Sequence, residues 1–407
     1  MTKDNEGLQH MTDCVMIDTM GLRVDGVSGV KLPKKFAQVS DDPAVVHNSS
    51  WAKGNLKSES GKYMPLRVRS VKSGSKLLVE GSNSMQYLDH NIVSSNNAVM
   101  TAFSMLDAVR RQYPLEFGYL QQPMVFRQGE LVEVTRIDTP AMLKIPDGLD
   151  AGAVLNGLAF AALRAGVVCS IFPGESVYFD QHSQLASMKA YLKALELKQK
   201  KREHRLAASE NTDALIYLAE NTLRFEAVYR LKHLSRHFGG KPVTPSMLSP
   251  KTLACMFLNL LEGYDLKGLM SRWLSKEELY AVRMPYRSTV ELWQHGVDLK
   301  KVFKGDEKLL ASHRRVLKKE YSIDIFLPSP RAIEVPVELG EILRAENFVP
   351  VPAAIKADPS LFYTRDMQAE WLARTRELGQ RGISSLYVDP YHYDQDVDED
   401  EDGGHHD

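Results

Sequence analysis

Residues 130–139 read ELVEVTRIDT and residues 222–230 read TLRFEAVYR, and these two stretches decide the fold. Both alternate with a period of two, the pattern of a β-strand whose faces differ. In the first, Arg136 and Asp138 share one face and Ile137 takes the other. In the second, Arg224 and Glu226 flank Phe225 in the same way. Two strands that each carry an Arg–apolar–acid triplet predict a sheet with a charged face.

Outward from these stretches, Cys14–Val24 (CVMIDTMGLRV) reads as an opening strand with Asp18 set inside it. Residues 26–60 are rich in Gly, Ser, Asp and Lys and read as loop. Met64–Val71 and Lys76–Gly81 form a hairpin around Ser73-Gly74-Ser75. Ser176–Phe179 is a short strand. Val99, Phe103 and Leu106 recur at i, i+4 and i+7 in a helix that Ser94 or Ser95 can cap and that runs to about Arg111. Ala151–Arg164 is a Leu- and Ala-rich helix, and Leu185–Ala208 reads as a long helix with a basic second half. Strands interleaved with helices in this order predict an α+β class, with helices on a mostly antiparallel sheet. The first ten residues are taken as a flexible N-terminus and 11–240 as the first domain. Past Gly239-Gly240-Lys241-Pro242 the pattern turns helical at Thr252–Glu262, Ser275–Arg283, His313–Lys319 and Val337–Ala345. Residues 241–390 therefore form a mainly helical second domain, and 391–407 an acidic, disordered tail.

The 407 residues, 43% hydrophobic and 25% charged, fit a globular chain of two domains. No uninterrupted run of about 18 apolar residues exists, so no membrane span is expected. The polar start lacks the apolar segment of a secretory signal, and three widely spaced cysteines suit a reducing cytoplasm. Net charge is −1, but eight acidic residues fall in 394–407. Residues 1–393 keep 51 basic and 44 acidic side chains, a charge of +7. A mildly basic body agrees with DNA binding, and the tail reads as a solvated end or a screen for a nucleic-acid surface. The phosphate-binding Walker loop, GxGxxG, CxxC, HExxH and GxSxG are all absent. That argues against nucleotide hydrolysis, dehydrogenation and zinc proteolysis.

What remains is a set of charged and aromatic residues. Asp138 and Glu226 could come together in one sheet and hold Mg²⁺ or Mn²⁺ through oxygen ligands; alternatively each triplet is an ion-pair ladder. Tyr191, in SMKAYLKALE, lies among Lys189, Lys193, Lys198 and Lys200, cations that can assist a tyrosine hydroxyl in attacking phosphorus; alternatively it packs in a helix. His90, after EGSNSMQYLD, is either a metal ligand or general acid/base, or a capping residue.

Together these segments resemble the replication initiators of filamentous bacteriophages, and more distantly the plasmid initiators that share their chemistry. The resemblance runs through Ile17-Asp18, Glu80-Gly81-Ser82 to His90-Asn91, Arg136-Ile137-Asp138, Ser176-Val177 to Ser183, Ala190-Tyr191-Leu192-Lys193 with Glu196, and Leu223-Arg224-Phe225-Glu226-Ala227. A weaker echo covers His313-Arg314-Arg315 and the Glu341–Phe348 region. The resemblance implies a sheet fold like that of nucleases with a His-hydrophobic-His motif, here followed by the helical domain. It implies a metal-dependent endonuclease that nicks one strand of a supercoiled viral origin and stays joined to the 5′ phosphate through Tyr191. The free 3′ end primes synthesis, and the displaced strand is later rejoined into a circle. It further implies Arg136 and Lys193 as helpers, a host helicase and DNA polymerase as partners, and action in the cytoplasm of the bacterial host.

Two features depart from the wider class. No His-hydrophobic-His triplet occurs, so the metal must rest on carboxylates: Asp138 first, Glu226 second, with Glu80, Glu196 or His90 as further ligands. The Tyr-x-x-Lys spacing is also missing, and on a helix Lys193 would point away from Tyr191. DNA contacts are expected from Lys198, Lys200, Lys201, Arg202 and Arg224, and from Arg314 and Arg315 in the helical part. The alternatives are a related relaxase or single-strand transposase, and a regulator that binds the origin without cutting it.

Overall fold

The computed structural model describes residues 2–25, 52–71, 76–112, 132–198, 212–266, 273–330 and 338–367, with a few positions up to 373. In chain order the elements begin with α1 (Thr2–Cys14), β1 (Thr19–Asp25), β2 (Ala52–Leu56), β3 (Leu66–Val71), β4 (Lys76–Ser82), α2 (Asn83–Leu88) and α3 (Ala98–Gln112). Next come β5 (Val132–Lys144), α4 (Ala151–Arg164), β6 (Cys169–Phe172), β7 (Ser176–Phe179), β8 (Ala186–Tyr191), α5 (Lys193–Leu197), α6 (Asp213–Glu220), β9 (Thr222–Arg230) and α7 (Leu231–His237). The rest are α8 (Pro250–Gly263), α9 (Lys276–Ala281), α10 (Tyr286–Gln294), α11 (Leu299–Val302), α12 (Glu307–Tyr321), α13 (Leu339–Ile342), β10 (Phe348–Val349) and α14 (Ala353–Ala357). The strand pairs are antiparallel, which makes the fold α+β.

Two compact units are woven from separated segments. The first takes Met1–Val15, Thr139–Tyr229 and Lys251–Pro352; the second takes Met16–Asp138, Arg230–Pro250 and the described residues from Ala353. Lys241, the expected start of the helical domain, falls inside the second unit.

In the second unit the strand order is β2-β3-β4-β1-β5. Met20, Leu22, Val24, Leu66, Val68, Leu77, Val79, Val134 and Ile137 are all buried, as alternation requires of one apolar face. Helix α3 lies against β1 and β2. Its cap is Asn97, whose Oδ1 accepts from the Met100 amide at 3.0 Å. Ser95 instead accepts from the Asn97 amide, so it shapes the turn before the cap. The β1–β5 register shifts at Gly21/Leu22, a bulge that leaves both Glu133 and Arg136 opposite β1 residues of the polar face.

In the first unit the order is β5-β9-β8-β7-β6, with β10 also on β5. Phe225 of β9 meets Phe348 edge-on at 5.9 Å, and Phe348 meets Phe257 of α8 at 5.7 Å. This aromatic stack fills the apolar side of β9, so Arg224 and Glu226 face the opposite side. A separate helical core joins Val282, Val290, Trp293, Leu299, Leu310, Leu317, Ile323 and Ile325. Trp293 Nε1 donates to the Leu327 carbonyl at 2.7 Å, satisfying a buried donor.

Three local expectations are corrected. The opening strand starts at Thr19, because Met11, Cys14 and Val15 are fully buried and His10 Nε2 lies 2.7 Å from the Phe348 carbonyl; Thr2–Cys14, which takes in most of the expected flexible start, is helix α1. Within the expected 26–60 loop, Ala52–Leu56 is a strand paired to β3; residues 26–51 lie outside the described residues. Within the expected helix Leu185–Ala208, Ala186–Tyr191 is strand β8 and Lys193–Leu197 the short α5; residues 199–208 lie outside the described residues. The helix-favouring composition of β8 is overridden by pairing on both sides, with β7 and β9.

Asp107 and Arg110, both nearly fully buried on α3, pair at 2.5 Å, and Arg111 Nε reaches the other Asp107 oxygen at 3.1 Å. Removing the carboxylate leaves a buried cation without its counter-charge. Asp107→Ala is therefore expected to lose about 3–5 kcal/mol in chemical denaturation; a loss under about 1 kcal/mol would show that the pair carries little of the fold.

Candidate active site

The β8–β9 register sets Lys189 directly opposite Glu226 and Tyr191 directly opposite Arg224. Directly opposed residues point to the same face, and so do residues two apart on one strand, so all four side chains gather on one side of the sheet. On β7, Tyr178 lies opposite Lys189 and Ser176 opposite Tyr191, extending the same polar face.

The contacts follow from that register. Tyr191 Oη donates to Glu226 Oε2 at 3.2 Å. Lys189 Nζ is 2.8 Å from Glu226 Oε1, and Arg224 Nε is 3.5 Å from Oε2. The Lys189 ammonium also sits 4.7 Å from the centre of the Tyr191 ring, and Lys193 Nζ 5.9 Å from it. Lys193 is wholly buried and donates to Glu196 Oε2 at 2.9 Å. Because Tyr191 ends a strand and Leu192 turns the chain into α5, Lys193 comes back toward the tyrosine. That corrects the expectation, based on a continuous helix, that it would point away. The tyrosine itself is only 8% exposed.

Burial pushes the Glu226 carboxyl up, but the charges of Lys189 and Arg224, with the Lys189 hydrogen bond, outweigh it and hold the group below the ordinary carboxylate range. Glu226 therefore stays ionised, ready to accept from the Tyr191 hydroxyl.

In the second unit, Asp138 is 3% exposed and both of its oxygens are held by the Arg136 fork, Nε to Oδ1 at 2.8 Å and Nη2 to Oδ2 at 2.7 Å. Arg136 Nη1 also donates to Glu80 Oε1 at 2.9 Å. Asp18, read in the sequence as an acid inside an apolar strand and as part of the Ile17-Asp18 motif, is buried beside them. Its amide donates to the Asp138 carbonyl at 2.9 Å, and its carboxylate accepts from Ser82 Oγ at 3.1 Å and Asn91 Nδ2 at 2.9 Å. His90 is buried just after Asp89, the left-handed residue that ends α2.

Two clusters thus emerge, Tyr191–Glu226–Lys189–Arg224–Lys193–Glu196 in the first unit and Asp18–Glu80–Arg136–Asp138 in the second. Among the described residues no group of three or more His, Cys, Asp or Glu converges to hold a metal ion. Asp138 and Glu226 each carry hard carboxylate oxygens of the kind Mg²⁺ prefers, and these are engaged by Arg136 in the one case and by Lys189, Arg224 and Tyr191 in the other.

The basic residues expected to meet DNA divide. Arg224 is fully buried against Glu226, and the Arg314 fork is taken by Asp324 at 2.7 and 2.8 Å. Arg315 is exposed, and so is Lys198, 3.2 Å from Glu220. Lys200, Lys201 and Arg202 lie outside the described residues, as does the acidic tail. Lys189 is the residue the sequence reading undervalued. Its signal was a lysine two before Tyr191, which shares a face with it on a strand but not on a helix.

The family model for the N-terminal part of the phage replication-associated protein (Phage_CRI) matches residues 16–246, more than half of the chain. The replication-associated protein of Enterobacteria phage I2-2 is 25% identical over 291 residues, covering 70% of this chain and 76% of that protein. Among the described residues no helix is long and apolar enough to cross a membrane.

The depressed carboxyl of Glu226 makes a pH-dependent prediction. A group whose folded value is lowered contributes stability that is full above its unfolded value, near 4.5, and is lost as pH falls through the folded value. The stability gap between the parent and Glu226→Gln, measured by chemical denaturation, should be widest near neutral pH and shrink below about 4.5. A gap that stays constant into acid would show that Glu226 gains nothing from its cations.

Proposed function

The chain belongs to the Phage_CRI family of phage replication-associated proteins, and from that premise we propose that it nicks one strand of a supercoiled viral origin through Tyr191 and later rejoins the displaced strand. The observation that carries the reading is the Tyr191 hydroxyl donating to the ionised, cation-flanked Glu226. A tyrosine that merely packed would have no need of a buried carboxylate held ready by two cations.

In the proposed reaction, Tyr191 Oη forms a bond to the phosphorus of the scissile phosphate as its proton passes to Glu226. The bond from phosphorus to the 3′ oxygen breaks on the opposite side, and that oxygen leaves and takes up a proton from solvent. Lys189 and Lys193, 4.7 and 5.9 Å from the Tyr191 ring centre, place positive charge where the phenolate and the phosphoryl oxygens gather negative charge. Arg224 keeps Glu226 ionised between turnovers. Rejoining reverses the exchange. A 3′ hydroxyl attacks the phosphotyrosine, its proton goes to solvent, and Tyr191 recovers its own proton from Glu226. One ester replaces another, so no nucleoside triphosphate is consumed.

Mg²⁺ or Mn²⁺ belongs to the proposal and when bound would polarise the phosphoryl oxygen. Glu226 takes the Tyr191 proton in this scheme, so Asp138, clamped by Arg136, is the carboxylate left as a candidate ligand. The free 3′ end is the chemical substrate of a DNA polymerase. A host polymerase and helicase, working in the bacterial cytoplasm, complete the scheme.

With supercoiled DNA of its own replicon and Mg²⁺, the parent should give nicked circles and protein-linked DNA on a denaturing gel. Tyr191→Phe should lose the linked species entirely and keep its affinity for origin DNA within about twofold, since one hydroxyl is removed. Glu226→Gln should slow linkage by roughly 10²- to 10⁴-fold, the usual contribution of a positioned base. Chelation of the divalent ion should stop linkage in every form. Origin binding without a nick or adduct in either metal would instead identify a regulator that does not cut.

A further inference from the structure

We propose that β3 presents a phosphate-binding track for single-stranded DNA, with Arg67 and Arg69 as its contacts. The inference deepens the nicking reading and rests on it for the identity of the strand.

The register of the second unit lays its polar face out in rows. Arg67 of β3 lies opposite Glu80 of β4, Glu80 opposite Gly21 of β1, and Gly21 opposite Arg136 of β5. The next row holds Arg69 opposite Leu78, and Leu78 opposite Arg23. The row on the other side holds Ser82, Thr19 and Asp138.

Glu80 is the natural counter-charge of Arg67, since directly opposed side chains are the nearest on a sheet. Its carboxylate is instead taken from across the sheet by Arg136, at 2.9 Å. Gly21 makes that reach possible. A Cβ there would come within 2.9 Å of Thr135 Oγ1 and 3.2 Å of Arg136 Cβ, so a side chain would crowd the path. Both Arg67 and Arg69 are exposed, and among the described residues neither lies within ion-pair distance of a carboxylate. The one acid between Leu56 and Val71, Glu59, is held by Arg111 at 2.7 Å. Among the described residues the local acids are thus committed to other cations, and the two guanidinium groups have no carboxylate partner.

Their spacing fits a phosphate ladder. Residues two apart on a strand rise about 6.6–6.8 Å, comparable with successive phosphates along an extended nucleic-acid strand. The planar fork of arginine matches phosphate oxygens two at a time. The row that runs inward from Arg67 leads past Glu80 and Gly21 to Arg136, which holds Asp138, so a strand held on β3 lies on the same face of the unit as the Arg136–Asp138 pair.

The test is fluorescence anisotropy of the full chain with a labelled single-stranded oligonucleotide of the origin and its matched duplex, without divalent ion, across a salt series. Each phosphate contact on a single strand adds about 0.7 to the steepness of log affinity against log salt. Arg67→Gln/Arg69→Gln should therefore flatten the single-strand slope by about 1.4, leaving the duplex slope unchanged. The Arg67→Lys/Arg69→Lys chain should keep most of the slope, which separates lost charge from lost folding. An unchanged single-strand slope, or an equal fall on duplex, overturns the track. Because the assay needs no bond cleavage, a flat response in a chain that still links covalently to DNA sinks this inference alone. A slope that falls in a chain that never links sinks the nicking reading alone.

Discussion

The antiparallel register of β8 on β9 is the constraint on which the site depends. It opposes Lys189 to Glu226 and Tyr191 to Arg224, and thereby brings a tyrosine hydroxyl, a carboxylate and two cations onto one face without any loop having to hold them. A slip of one residue would turn Tyr191 and Lys189 to the other side of the sheet. That other side is where Phe225 packs on Phe348, so the aromatic core beneath β9 also fixes which side chains gather above it. Packing and the charged cluster are tied here through the two-residue period of a strand.

The same logic explains the cost and use of the buried charges. Taking Glu226, Arg224 and Lys193 out of water is unfavourable unless they satisfy one another, and leaving any one unpaired would cost more than the set together. Burial alone would keep the Glu226 carboxyl protonated, and the adjacent cations reverse that outcome. In the second unit the Arg136 fork on Asp138, with Glu80 as third partner, meets the same demand, and Asp18 is answered by Ser82 and Asn91. These are ladders of ion pairs, as the sequence permitted.

Much of this was legible in the sequence. The triplets Arg136-Ile137-Asp138 and Arg224-Phe225-Glu226 announced strands with charged faces, because alternation survives even when both faces are buried. Ala151–Arg164 was readable to the residue, as its Leu and Ala content and its Asp150 cap agree. The surroundings of Tyr191 were not. ASMKAYLKALEL has the composition of a helix, and only the pairing partners, some ten residues before it on β7 and some thirty-five after it on β9, make it a strand. That misreading hid Lys189 and turned Lys193 away, since both conclusions assumed 3.6 residues per turn. The family resemblance still pointed to Tyr191, because it rested on the order of short motifs rather than on their secondary structure. Arg67 and Arg69 carried no sequence signal of their own; Arg67 loses its opposed acid because Glu80 is drawn across Gly21 by a residue far along the chain, and Arg69 lies opposite Leu78 and Lys53, neither of them an acid.

The central claim is that Tyr191, held by Glu226 and flanked by Lys189, is the atom source of a covalent bond to DNA. The most direct measurement is peptide mapping by mass spectrometry of the wild-type chain after reaction with its origin DNA and trimming of the DNA to a short nucleotide remnant. The account predicts the 5′ phosphate remnant on the hydroxyl of Tyr191. A remnant on Tyr178 or any other residue would contradict it and move the nucleophile elsewhere on the fold.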